Sequence, residues 1–117
     1  MTAGKDKAQL GLTDEARRRL RYITDRGGFN EMQDAYRLAV SIALAESLSP
    51  ADSSLSRTTY VNIGSLDPDG LLRQAVLTVR EDHDDRPVAL IERLAEAGIH
   101  RIHSHLESGK PLRDLLM

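Results

Sequence analysis

The chain of 117 residues has no cysteine and no tryptophan. Without cysteine, disulfides, thiol catalysis and cysteine-ligated zinc are excluded. One Phe and three Tyr are its aromatics, so a core has to be assembled from Leu, Ile, Val and Ala, which suits helix-on-helix packing better than a sandwich or barrel. No stretch reaches the roughly 18 consecutive apolar residues of a membrane span, and no long apolar run follows the first lysines. The chain therefore reads as soluble and cytoplasmic, with no membrane partner. A glycine-rich phosphate loop and a dinucleotide fingerprint are missing too, and Ser53, Ser54 and Ser56 have no motif-placed His or Asp. Nothing points to an enzyme or to a cofactor.

A strong positive charge is also lacking. The formal net charge is −2, which is not the footprint of a strongly basic nucleic-acid binder. Residues 1–48 carry eight Lys and Arg against seven Asp and Glu, and the remainder eight against eleven. A binding face would have to be local, made by geometry rather than bulk charge.

The length allows one domain over residues 1–117, with a single core. Lys7 to Leu12 alternates, with Ala8, Leu10 and Leu12 on one side of a strand and Lys7, Gln9 and Gly11 on the other. Thr13 can cap a helix from Asp14 to Asp25, with Ala16, Leu20 and Ile23 as its apolar stripe and Arg17, Arg18 and Arg21 outside it. After Gly27-Gly28, Asn30 can cap a second helix running to about Ser47, apolar nearly all round and so in need of cover from the rest of the chain and a partner subunit.

Residues 49–66 read as a loop or extended connection, broken by Pro50, with 58–63 rich enough in β-branched and aromatic residues for a short strand. Residues 67–117 read as two to three helices. Asp67-Pro68 is a cap followed by proline at a first helical position, launching Leu71, Leu72, Ala75, Val76 and Val79. Glu81 to Arg86 is a solvated acidic turn. Pro87 opens a longer helix with Val88, Ile91, Leu94, Ala95, Ile99, Ile102 and Leu106 as its core stripe, where Gly98 marks a kink or a close helix crossing, ending near Gly109. The fold class expected is mainly α.

Two constellations carry chemistry. If two opening strands pair antiparallel, Lys7 and Gln9 face outward together, where their side chains can bond base edges in the major groove. Lys5, Arg17, Arg18 and Arg21 add cations, and the helix start near Asn30 offers backbone N–H groups to phosphate. Asp6 interrupts the lysines, and Glu31 stands in the turn where an anion would bind. The second constellation is Glu96, His100, His103 and Glu107, on one side of a helix, where neighbours could share a divalent metal. Glu-to-His pairs four residues apart also stabilise a helix with no metal, and no metal site is assigned. The cluster around His83 lies in an acidic turn without the burial that enzymatic carboxylates need.

Strand, helix, glycine turn, helix in under fifty residues resembles the ribbon-helix-helix family of DNA-binding proteins. The wider order of segments looks like the small DndE family of DNA phosphorothioation systems. The resembling pieces are Leu10-Gly11-Leu12-Thr13 leading to Ala16, Leu20 and Gly27, then Tyr36 to Leu44, then Ala97-Gly98-Ile99-His100 through Leu112 to Leu116. The first resemblance implies strands paired between two chains. The second implies a mostly helical homo-oligomer, dimer or tetramer, that binds duplex DNA without catalysis, beside other proteins of a modification complex. The alternatives are a ribbon-helix-helix repressor or antitoxin, and a helical protein-interaction subunit that binds no nucleic acid.

Overall fold

The computed structural model describes residues 5–116. In chain order it holds β1 (Gln9–Leu12), α1 (Asp14–Gly27), α2 (Met32–Ala45), β2 (Thr58–Asn62), α3 (Ile63–Leu66), α4 (Leu71–Val79), α5 (Pro87–Glu107) and α6 (Leu112–Leu116). The fold is mainly helical, as the composition requires.

Local chemistry sets most of these boundaries. Thr13 is extended and its side chain accepts from Ala16 N at 3.1 Å, so α1 begins where the cap was expected. Gly28, at φ 71°, takes the left-handed conformation that ends it. The start of α2 differs: Glu31 holds the N-cap position with no side-chain bond, and Asn30 lies exposed one residue earlier. The sequence also places α4 too early. Pro68 sits in a turn, Gly70 at φ 74° curls the chain back, and the helix starts at Leu71. Asp67 nevertheless caps it from a distance, accepting from Leu72 N at 2.9 Å and Arg73 N at 3.0 Å.

Helix α5 runs through the middle of the molecule and packs on α2, α1, α4, β1 and α6. Ala35, Tyr36, Ala39, Val40 and Ala43 of α2 meet Ile91, Leu94, Ala95, Ile99 and Ile102 in one continuous core. Gly98 is the crossing point. A Cβ there would lie 1.9 Å from the Ala39 carbonyl oxygen, so the two backbones touch, and α5 passes the glycine unbroken. The outer flank of α2 stays partly open, with Ser41 and Ala45 exposed.

The strand pairing expected between two chains is met within one. β1 pairs antiparallel with β2, Gln9 opposite Asn62 and Leu12 opposite Thr58, with an irregularity at Leu10/Gly11 that leaves Tyr60 as the extra residue. The other side of β1 faces α5. There Gly11 N donates to Glu92 Oε2 at 2.7 Å, Lys7 Nζ bonds both Glu92 oxygens at 2.7 Å, and Asp6 accepts from Val88 N and Ala89 N at 2.8 and 2.9 Å. Asp6, read as an interruption among lysines, is the cap of α5. Residues 6–12 thus form a strap held by β2 on one side and α5 on the other.

Candidate nucleic-acid interface

The expected contact residues separate into groups with different surroundings. Gln9 is exposed on β1 and Lys5 is exposed just ahead of the strap. Lys7 is exposed as well, but its ammonium does not stand free beside Gln9: it is drawn onto the buried Glu92. Sequence alone hides this, because the partner is 85 positions away. A signal existed, since Glu92 falls on the core stripe with Val88, Ala95 and Ile99 and must find a cation or a donor there.

Arg17 is also partly committed. Its Nη2 donates to Thr58 Oγ1 at 3.1 Å and lies 3.4 Å from Thr59 O, while the guanidinium sits 5.7 Å from the Tyr60 ring centre. Arg17 ties α1 to β2. Tyr60 in turn stacks on Tyr36, with ring centres 5.5 Å apart. Burial pushes the Tyr60 hydroxyl above its ordinary range.

Of the expected contact residues on α1, Arg18 and Arg21 are exposed, and Arg26 farther along the helix is exposed as well. Neither Arg18 nor Arg21 comes within ion-pair distance of a carboxylate among the described residues. Beside Arg18 a shallow groove runs between α1 and α5, lined by Glu15, Arg19, Tyr22 and His103. Farther along the same flank lie Arg26, 5.7 Å from the Tyr22 ring centre, and Lys110. Arg19 was not singled out by sequence. It pairs with Glu15 at 2.9 Å, an i, i+4 contact legible from spacing, and its Nη1 lies 2.9 Å from His100 Nδ1, which is not legible.

The histidine stripe divides in two. His103 pairs with Glu107 at 3.3 Å and meets Tyr22 edge-on. His100 lies 3.6 Å from Glu96, whose side chain is only 4% exposed and whose Oε1 lies 3.7 Å from Arg57 Nε. Among the described residues no three His, Asp or Glu side chains are grouped to hold a metal ion. Glu96, which shares a helix side with the two histidines, is part of a buried polar centre with Tyr36 and Arg57. The Tyr36 hydroxyl, Arg57 Nε and Glu96 Oε1 have no hydrogen-bond partner among the described residues. Burial, and after it the Glu92 charge, drive the Tyr36 hydroxyl well above its ordinary range.

In the acidic turn, Asp82 pairs with Arg80 at 2.7 Å, and that bond holds its carboxyl below the ordinary range. The turn is a solvated ion pair with exposed Asp84 and Asp85 beside it. No helix among the described residues is long and apolar enough to cross a membrane. Comparison with protein-family models, with curated proteins and with solved structures finds no match to this chain.

Proposed function

We propose that the protein is a non-catalytic DNA-binding protein, an accessory subunit of a DNA sulfur-modification or defence system, that meets duplex phosphates through the outward face of α1. The observation that carries this reading is the exposed pair Arg18 and Arg21, free of carboxylates among the described residues, on the helix that follows the Gln9 strand. Arg17, fixed to β2, holds that helix to the ribbon. The likeness of segment order to the DndE family points the same way. The start of α2 contributes no phosphate contact to this proposal: no side chain caps it, but Asp34 N donates to Glu31 O and the turn carries the carboxylates of Glu31 and Asp34. Lys7 is a strap residue in this proposal rather than a DNA contact.

So few cations per chain give weak binding, because counterion release scales with the phosphates met. Joining copies multiplies the patch, and the proposal includes a homo-oligomer. With β1 engaged on both sides, the surface suited to a second copy is the groove between α2 and α4. Its lining of Ser41, Leu44, Ala45, Leu72 and Ala75 carries no charge, and Leu71 and Val79 project from its rim, 69% and 58% exposed. A two-fold interface uses the same patch on both copies, and this uncharged patch is the one proposed for it. The same groove is the observation that favours the second reading, a protein-interaction subunit.

Duplex retardation across a salt series tests the proposal. Replacing Arg18 and Arg21 by Gln is expected to flatten the plot of log affinity against log salt by about 1.8 per chain engaged, about 0.9 for each phosphate no longer neutralised. Binding that ignores salt, or survives the double substitution unchanged, removes α1 as the DNA face. Absent binding with the oligomer intact favours the interaction subunit.

A further inference from the structure

The bond between Arg19 Nη1 and His100 Nδ1 fixes the state of the ring. A guanidinium has only N–H donors to offer, so Nδ1 accepts. The imidazole in this arrangement is neutral, with its proton on Nε2, facing Glu96 Oε2 at 3.6 Å. The groups around it come from every packed element. Helix α1 supplies Arg19 with its partner Glu15, and α5 supplies Glu96 and, one turn on, His103 with Glu107. Arg57, ahead of β2, reaches Glu96 from the far side, and Tyr36 of α2 lies in the same polar centre. Arg19 and Glu96 therefore pull His100 in opposite directions. Arg19 needs its lone pair, while the buried Glu96, whose Oε1 receives no hydrogen bond among the described residues, is better served by a cation.

We propose that His100 is a proton-operated latch for Arg19. A proton taken from solvent at Nδ1 forms a new N–H bond there and converts the acceptor into a donor. Arg19 then loses its hold on α5 and faces a like charge 2.9 Å away, so it swings out, tethered only through Glu15. His100 becomes a second cation beside Glu96, on the oxygen away from Arg57. The consequence for DNA rests on the function proposed above: a freed Arg19 joins Arg18 and Arg21 on α1, adding one phosphate contact as the pH falls.

A measurement without DNA tests the latch itself. The loss of Tm caused by Arg19→Gln is read at about pH 8 and about pH 5.5, on either side of the range in which imidazoles take up a proton, in the wild-type and His100→Gln backgrounds. Glutamine keeps an acceptor at that position and cannot titrate. The expected penalty in the wild-type background is about 2 °C at the higher pH, shrinking at the lower to what the Glu15 pair alone contributes. In the His100→Gln background it is the same at both. A wild-type penalty that is equal at both pH values, or missing at both, overturns the latch, and this arm does not depend on the His100 variant. Duplex retardation is then run on the same proteins. The wild type is expected to show a salt slope steeper by about 0.9 at the lower pH, and His103→Gln to retain that change. If the Tm penalty responds to pH but no DNA is retained at either pH, the latch stands and the DNA reading falls.

Discussion

Replacing Gly98 by Ala places one methyl group at the tightest point of the molecule. The added Cβ would sit 1.9 Å from the Ala39 carbonyl oxygen, 2.5 Å from its carbon and 2.9 Å from its Cα, where ordinary contact begins at 3.4 Å. All three atoms are backbone, so no rotamer change can absorb the overlap. Helices α2 and α5 would have to part locally by about 1.5 Å, and a gap of 0.5–1 Å already forfeits about a quarter to a half of each dispersion contact. Overpacking of this kind costs about 1–3 kcal/mol, and a rigid obstacle puts it at the upper end, about 3. Against that, Ala is better than Gly inside a helix by about 1 kcal/mol. The net loss is about 2 kcal/mol, or a fall in Tm of about 8 °C for a domain of this size. Urea and thermal unfolding followed by far-ultraviolet circular dichroism would measure it, with helix content of the folded state retained. A Gly98→Ala protein as stable as the parent, or more so, would refute the close crossing, since that is the result for a glycine with room beside it.

Asp67 links stability to pH. Burial alone would raise its carboxyl, but the hydrogen bonds from Leu72 N, Arg73 N and the Arg73 guanidinium outweigh it and hold it below the ordinary value. A depressed folded value means that its stabilisation is complete above the unfolded carboxylate value, about 3.9, and is lost as the pH falls through the lower folded one. Asp67→Asn is therefore expected to lower the Tm at neutral pH and to shrink the loss seen on acidification; an unchanged acid limb would count against it. Tyr36→Phe removes a buried hydroxyl with no partner among the described residues, so stability is expected to hold or rise by about 1 kcal/mol. A destabilisation of that size in urea unfolding would instead reveal a bond to that hydroxyl.

Helices α1 and α5 were legible because their apolar residues recur at helical spacing over three turns or more, and Thr13 and Pro87 mark their starts. Gly98 was legible as a special position, though choosing between kink and crossing needed the neighbour, Ala39. What sequence could not give was the partner of each polar group. β1 and β2 are nearly fifty residues apart, and a two-residue repeat tells which face of a strand is apolar, not which edge is paired or with what. The same limit hid the partner of Lys7, which is exposed as its alternation with Gln9 implies but whose ammonium is held by Glu92. Asn30 lost the cap of α2 to Glu31, the kind of one-residue offset that composition at a helix start leaves open. Of the candidate site, Arg18 and Arg21 lie exposed as read, whereas the link from Arg19 to His100 required two helices to be brought side by side.

The strap also bears on how the chain reaches its final form. Its cap bond spans 82 positions and its ladder pairs it with residues 58–62. Emerging from a ribosome, residues 6–12 meet neither β2 nor α5 until those segments have followed, and distant pairings of this sort are slow to close. Early synthesis therefore exposes Leu10 and Leu12 to any passing strand edge, and the finished molecule hides them only once its longest helix is in place.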